Sequence, residues 1–436
     1  MQTIDRKKGD EKRRLYWIAL LAVGIALYFY FQVLAPLGRF HCNDFRHLYV
    51  GAKIIRQGNN PYNAERMKYE AFRMGLSGIL PYVYLPFTGI AMSLLTFFSF
   101  LTAALLWFGI NQLLVLLSLL LMLYNFYGKI RIKELGLWLV YVALFFPLTR
   151  NFTAGQLNGV LLFCYALTWH FLKKQKFGFV GAIAAFATLF KLSPGILLLY
   201  FFWKRKFKAL LWSMGFLVLF MLFSVIITSV DVHREFFPVL KQMSYGKSTW
   251  EKEEGHNFYR DPFNQSFNSF FHHAFTRNPY TKPWAPLTKN KADILTFIVS
   301  LFLIAAVLFL SAPKRKGEQF AEKTQLRDFA LFIMLSLMLP SLCWDHYLVQ
   351  ALFPLIFVGA ALTKTKLRIS CLFYAFVLYA MAVPFNFTNM KFREGIGIFF
   401  MSFKLFALLI LFVLMIANEK SLYFKKEGKN EYSRSG

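Results

Sequence analysis

Long apolar runs separated by short basic connections make up most of the chain. The first runs from Leu15 to Leu37, behind a basic polar segment that includes Arg6-Lys7-Lys8 and Arg13-Arg14. Further runs lie near 134–150, 155–172, 177–192, 193–203, 207–230, 291–312, 328–343, 346–363, 367–384 and 396–417. A hydrocarbon core of ~30 Å takes about 20 apolar residues in a helix, and many of these runs reach that length. The pattern predicts an all-α, polytopic transmembrane bundle.

Lys and Arg collect on the cytoplasmic side of a membrane protein. That rule puts the N-terminal segment 1–14 inside, together with Lys129 to Lys133, Lys173 to Lys176, Lys204 to Lys206, Lys314 to Lys316, Lys364 to Arg368 and the basic tail 418–436. Residues 80–127 are long enough for two crossings, but two would put Lys129, Arg131 and Lys133 outside and invert every later loop. One crossing preserves the pattern. Residues 80–100 are therefore expected to be partly inserted or re-entrant, which is tolerable where protein buries the backbone. The result is a single transmembrane domain over 15–417, with about twelve spans (11–14), both termini inside, and two large outer loops at 38–81 and 231–290. In the first loop, Phe45, Leu48, Tyr49, Ala52 and Ile55 recur at helical spacing. They predict amphipathic helices on the membrane surface, broken at Gly58-Asn-Asn-Pro61. The second loop is polar and aromatic, without clear periodicity.

Composition agrees. Over the 436 residues, 57% are hydrophobic, 19% aromatic and only 17% charged, where a soluble domain carries about 25% charged residues. A soluble globular enzyme, a disordered chain and a coiled coil are excluded. A net charge of +28 would ordinarily point to nucleic acid. Here the basic cytoplasmic loops account for it, so the expected partner is the lipid bilayer and no nucleic acid. The four cysteines form no CxxC or paired spacing, and neither a disulfide framework nor a thiolate metal site is expected. The first apolar run is too long for the core of a cleavable signal peptide, and no small-residue cleavage site follows it.

Ionisable groups against a bilayer are costly and often functional, and five polar clusters lie at the outer ends of the runs. Asp44 opens the first outer loop, either as an N-cap or as a general base within reach of a lipid-linked substrate. Lys191 sits at the outer turn between two short apolar pieces. It either snorkels or stays recessed, where it can hold a phosphate. Behind Arg150, Gln156 and Asn158 either glue helices or bind sugar hydroxyls. An interfacial aromatic belt explains Trp344 and Tyr347 but not the adjacent Asp345 and His346. Asn264, Gln265 and Ser266 add amides and a hydroxyl in the second loop. The charge map puts all five clusters on one side.

These residues fall into an ordered series of motifs. It begins with Asp44 followed by Tyr49, Ala52, Gly58 and Pro61-Tyr62, and continues with Tyr82-Val-Tyr84-Leu-Pro86 and Gly155-Gln156-x-Asn158. Next come Lys191-x-x-Pro194, Asn264-Gln265-Ser266 and Pro340-Ser341-x-x-Trp344-Asp345-His346. In this the chain, over about residues 40 to 355, resembles the polyprenol-phosphate-mannose-dependent transferases of glycosyltransferase family 87, which have the GT-C membrane fold. Leu85 departs from the family, which commonly has a second proline there. The resemblance implies transfer of a hexose, mannose by the family's name, from a polyprenyl monophosphate to an acceptor hydroxyl with inversion. The acceptor is a glycolipid, a glycan or a protein. It implies Asp44 as base, and Lys191, His346 and, less directly, Arg150 at the donor phosphate, with binding the acceptor or protonating the phosphate as the alternative roles of His346. Gln156, Asn158, Asn264, Gln265, Trp344, Asp345, Tyr49 and Tyr62 then contact sugar or lipid. The scheme needs no cofactor and no metal, and the outer acids form no DxD pair. Direct use of a lipid donor points to a bacterial cytoplasmic membrane with the site facing outward. Two other readings use similar features: a transporter or flippase of lipid-linked sugars, and a ligase or polymerase of lipid-linked glycans. A transporter site usually lies near the midplane between matching halves, and no matching halves are seen.

Overall fold

The computed structural model describes residues 2–247, 258–313, 322–363 and 368–417, and every regular element among them is helical. Helix α1 (Gln2–Tyr28) continues through a π-helical turn (Phe29–Leu34) to Gly38. The loop at 38–81 holds α2 (Asn43–Arg56) and α3 (Ala64–Arg73). A short helix α4 (Pro86–Ser93) with a 3-10 turn leads into α5 (Phe100–Tyr127), and α6 (Ile132–Leu144) and α7 (Phe146–Ala154) follow. Next come α8 (Asn158–Lys173), α9 (Phe177–Phe190), α10 (Ile196–Trp203) and α11 (Phe207–Thr228). The second outer loop, which showed no clear periodicity, contributes α12 (Val230–Gln242) and α13 (Phe267–Phe275). The chain continues with α14 (Lys289–Leu310), α15 (Glu322–Met338), and a 3-10 turn (Asp345–Ala351) that runs into α16 (Leu352–Leu362). It ends with α17 (Arg368–Ala382), α18 (Gly397–Met401) and α19 (Phe403–Ala417).

Five helical stretches among the described residues are long and apolar enough to cross a bilayer: Asp10–Gly38, Phe100–Tyr127, Phe207–Thr228, Lys289–Leu310 and Asp345–Leu362. A sixth is added if α6 and α7, bent by 59°, make one span. Every apolar run expected to cross contains helix, but several of these helices are short. Runs 155–172, 177–192 and 193–203 fold as helices of 16, 14 and 8 residues, below the ~20 that a ~30 Å core requires. In 80–127 only α5 is long enough. Pro86 opens α4, where its missing N–H costs nothing, and the short apolar stretch Pro86–Phe97 stops well short of a crossing.

The apolar face expected of α2 is present, with Phe45, Leu48 and Ala52 all at 0% exposure. The helix does not simply lie on a surface, however. Val50 and Ile54 on its other side are equally buried, under Met67, Ala71 and Tyr82. A side chain at Gly51 would collide with the Tyr82 ring, so the Tyr82–Pro86 segment clamps α2 into the protein. At the centre, α15 is buried all round from Phe329 to Leu335, as is the stretch Asp345–Leu362, 89% of whose most apolar window is buried. Peripheral α11 is the opposite case. Only Ala209, Ser213 and Ser224 of it are buried, and Leu211 and Ile226 are 70% and 82% exposed. An apolar surface of that extent belongs in lipid. Where helices cross closely, small residues allow it: a Cβ on Gly181 in α9 would stand 2.5 Å from the Trp212 backbone in α11.

The basic connection Lys314 to Lys316, most of Lys364 to Arg368, Glu251 to Glu254 and the tail 418–436 lie outside the described residues.

Candidate active site

Asp44 is placed by a glycine. Gly155 ends α7 with φ +68°, a conformation that costs other residues. A Cβ there would stand 2.5 Å from Phe45 Cβ. The Phe45 ring stacks on Trp107, whose indole N–H donates to the Gly155 carbonyl at 2.9 Å. The Cys42 N–H donates to the Thr153 carbonyl at 2.9 Å. The start of α2 is thus locked against the end of α7, and the Gln156 amide lies near enough to the Asp44 carboxylate to favour its ionised form. Asp44 is the second residue of its helix and not its cap, for the N-cap is Cys42 and makes no side-chain bond.

Lys191 is held by a second set of contacts. The Thr88 hydroxyl donates to the carbonyls of Leu189 and Phe190 at 3.1 and 3.0 Å. These groups close α9, and the next residue turns extended. Its ammonium stands 3.3 Å from Asn158 Oδ1 and 3.5 Å from the centre of the Tyr347 ring. It also lies near enough to Asp44, with Arg150, to favour the ionised carboxylate.

A third set lies in the irregular stretch before α16. Asn264 donates to the Ser341 carbonyl at 3.1 Å and accepts from the Cys343 N–H at 2.9 Å, and the Gln265 N–H donates to the Cys343 carbonyl at 2.8 Å. Asp345 pairs with Lys404 at 2.9 Å and accepts from the Asn386 amide at 3.1 Å. Next to it, the buried ring of His346 meets Tyr347 edge-on at 4.8 Å, and His346 Nε2 has no hydrogen-bond partner among the described residues.

Together these segments enclose a cavity of about 920 Å³. Asp44, Arg150, Gln156, Lys191, Trp344, Asp345 and His346 line it, which brings together most of the residues the sequence singled out. Other candidates stand behind the wall. Asn158 is fully buried and bridges Lys191 to neighbouring amides. Asn264 and Gln265, expected as sugar or lipid contacts, do not line the cavity; Gln265 also donates to the Met401 carbonyl at 2.8 Å. Buried amides must be satisfied, and here the backbone satisfies them. Tyr49 and Tyr62 are off the cavity too, donating to the carbonyls of Phe98 at 2.7 Å and Tyr84 at 2.6 Å.

Tyr84, named in the Tyr82-to-Pro86 motif but given no role, lines the cavity too. Other lining residues escaped sequence reasoning: His47, Gln350 and Asn386. His47 had a signal, being one helical turn from Asp44, and Gln350 stands four residues from His346. Lys404, buried inside an apolar helix, was an equally visible anomaly. Asn386 carried no signal beyond its polarity.

Burial raises the Asp44 carboxyl above its ordinary pKa, and the Gln156 bond, Arg150 and Lys191 pull it part of the way back. Burial and Arg46 push His47 down to about 4. It is therefore neutral at pH 7, and its Nδ1 accepts the Leu80 N–H at 3.0 Å. Among the described residues no three of His, Cys, Asp and Glu group together as metal ligands. The rest of the lining is largely apolar and includes Phe236, Leu240, Met243, Leu335 and Leu339. Such a cavity can take a proton at one carboxylate, hold an anion between cations, and accept an alkyl chain.

A family model described as glycosyltransferase family 87 matches residues 82–340, more than half of the chain. Arg150, Gln156 and Lys191 fall inside that match, whereas Asp44 and Trp344 to His346 flank it and join it through the cavity. No curated protein and no solved structure matches.

Proposed function

The chain belongs to glycosyltransferase family 87, a family of membrane glycosyltransferases, and from that premise we propose that it moves a hexose, mannose in our reading, from a polyprenyl monophosphate to an acceptor hydroxyl with inversion. The observation that carries this reading is Asp44, a carboxylate near Gln156, Arg150 and Lys191 in one cavity whose lining is partly apolar.

The acceptor oxygen attacks the anomeric carbon while the bond from that carbon to the phosphate oxygen breaks. Asp44 takes the hydroxyl proton. Polyprenyl phosphate leaves with the bonding electron pair, and Lys191, Arg150 and His346 face the charge that develops on it. A raised carboxyl pKa makes Asp44 a stronger base than an exposed aspartate, and Arg150 and Lys191 oppose the rise. The apolar lining takes the first isoprene units of the donor. The acceptor is a glycolipid, a glycan or a protein. No metal or other cofactor enters the scheme, because the leaving group is a monophosphate that the side-chain cations can meet. The proposal includes a GT-C arrangement of about twelve crossings in a bacterial cytoplasmic membrane, with both termini inside and the cavity facing out. The short helices then cross by joining end to end or by thinning the bilayer around them.

The test is transfer of radiolabelled sugar from polyprenyl-phosphate-mannose to membrane glycolipids by purified wild-type and Asp44→Asn protein. Transfer by the wild type alone is expected. Undiminished transfer by Asp44→Asn removes Asp44 as the base. Binding of the labelled lipid without transfer by either protein favours a flippase.

A further inference from the structure

The two helices that bring Asn158 and Lys191 to the first cavity border a second one at their other ends. α8 leaves Asn158 and stops at Lys173, and α9 returns from Phe177 to Phe190. At ~1.5 Å per residue, the 16 residues of α8 put its ends ~24 Å apart. At the far end the chain reverses twice in the same way. The Lys176 N–H donates to the Phe171 carbonyl at 2.9 Å, and the Lys206 N–H to the Phe201 carbonyl at 2.8 Å. The residue before each, Gln175 or Arg205, is left-handed with φ 55° or 53°. Both connections are Schellman turns, and each runs straight into the next helix, α9 or α11.

Both turns line this second cavity, which measures about 370 Å³. Lys173 and Gln175 come from one turn and Lys206 from the other, with Gln325 of α15, Trp169 and Phe177. Lys173 and Gln175 are exposed and Lys206 and Gln325 half-buried, so none of the four is sealed from a ligand. The Lys206 ammonium donates to Gln325 Oε1 at 3.1 Å, which uses one of its three protons. Neighbouring Lys204 pairs with Asp328 at 2.8 Å, and Asp328 also pairs with Arg327 at 2.7 Å. Among the described residues no carboxylate pairs with Lys206. Burial, and after it the charge of Lys204, push its ammonium below the ordinary lysine pKa, with no acid to pull it back. A half-buried cation that meets an amide and a second cation is costly until an anion joins it. Within a few residues of the lining the surface turns apolar: Phe179, Phe202 and Phe207 are 59%, 57% and 51% exposed.

We infer that this second cavity binds the phosphate of an anionic glycerophospholipid, with Lys206 at the phosphate oxygens and the exposed phenylalanines along the acyl chains. Basic pockets between membrane helices take such headgroups. On the proposed topology the site belongs to the cytoplasmic leaflet, away from Asp44. The inference does not depend on the transferase reading.

The test is binding of phosphatidylglycerol to full-length, delipidated protein in detergent, read by native mass spectrometry and by the melting temperature. Phosphatidylcholine and inorganic phosphate are the comparison probes. Wild type is expected to hold phosphatidylglycerol, to be stabilised by it, and to hold phosphatidylcholine more weakly. Lys206→Gln should weaken the lipid about tenfold or more, the scale of a charge-assisted hydrogen bond. Gln325→Glu gives Lys206 a carboxylate of its own and should lose the lipid equally while melting no lower than wild type. A folding defect cannot produce that pair of results. Lys174→Gln, exposed in the same turn but off the lining, should bind as wild type does. So should Lys191→Ala, which tests for uptake by the first cavity. Undiminished binding in Lys206→Gln and Gln325→Glu overturns the site, as does an equal loss in Lys174→Gln. No preference for phosphatidylglycerol over phosphatidylcholine overturns it too, and loss in Lys191→Ala alone assigns the lipid to the first cavity. Inorganic phosphate that binds as strongly as the lipid, with the same dependence on Lys206, overturns the lipid assignment and makes the ligand a free phosphate.

Discussion

Asp44 sits where ionisation is costly, and that cost has a direction. Because burial raises its carboxyl pKa, the folded protein favours the neutral form. The stability associated with that form is fully present at low pH and is lost as pH rises through the folded value. Asp44→Asn should then leave the melting temperature at pH 7 unchanged or higher while abolishing transfer; thermal unfolding in detergent beside the transfer assay checks both. The acidic limb of the activity profile follows the same group. It should lie above the ~3.9 of an ordinary aspartate, and activity should fall as pH drops through it. Arg150→Ala removes a cation that favours the carboxylate and should move the limb to higher pH; an unmoved limb would detach Arg150 from Asp44. Lys191→Ala should cost about 1–3 kcal/mol of donor binding or transfer, the scale of a charge-assisted hydrogen bond. If titrations with labelled donor and turnover are both unchanged, Lys191 is only a snorkelling lysine. Asp44, Lys191 and His346 were legible in the sequence because each places an ionisable group against apolar neighbours. Gln350 and Asn386 were not, since the fold and no local pattern brings them to the cavity. Asn264 and Gln265 misled for a related reason: a polar loop residue looks the same whether its amide meets a ligand or the backbone at Ser341 and Met401.

At the scale of elements, the junction of α2 with α7 carries the site. Gly155 meets two demands at once, a positive φ and a separation from Phe45 that no side chain fits. Gly155→Ala should cost about 1–3 kcal/mol for the strained conformation alone, with more from the displaced Phe45. Asp44, one residue from Phe45, should move off Gln156. The expected result is a lower melting temperature together with a loss of transfer larger than the lost stability accounts for. Adding Phe45→Ala should not rescue it, because the Cβ that alanine keeps is the atom in collision. An unchanged melting temperature and full activity in Gly155→Ala would mean that the junction does not hold the base. Periodicity and breakers located α2, with its apolar Phe45-to-Ile55 face, and located helix in each apolar run. They did not show that α2 is enclosed on both sides, because Gly51 reads as a weak helix former until Tyr82 is seen packed against it. Nor did they show where short helices stop. The end of α9 at Phe190 is set by the hydroxyl of Thr88, distant in sequence.

For the whole molecule, the question is which side of the membrane the cavity faces, and the region between the first loop and Lys129 decides it. Five long apolar helices, and the lipid-facing side chains of α11, establish that the chain is built for a bilayer. Hydropathy made that legible from composition alone, but it measures apolar content and not helix length, so the expected count of about twelve exceeds the five or six stretches that are long enough. Between residues 80 and 127 only α5 qualifies, with 28 residues, or ~42 Å at ~1.5 Å per residue. One crossing there sets the α2 loop and Lys129 on opposite sides. On the proposed topology Lys129 joins the other basic connections inside, and the cavity, which holds Asp44 of the α2 loop, opens outward. His41 and Lys129 are both exposed and suit single cysteine substitutions in a protein whose four cysteines, one of them exposed at Cys371, have been replaced. A membrane-impermeant maleimide should label His41→Cys in intact cells and Lys129→Cys only after permeabilisation. Labelling of both in intact cells would require a second crossing within 80–127, and the basic loops after it would then face outward. Labelling of Lys129→Cys alone would turn the whole map over and place the cavity on the cytoplasmic side, where a nucleotide-linked sugar is as available as a lipid-linked one.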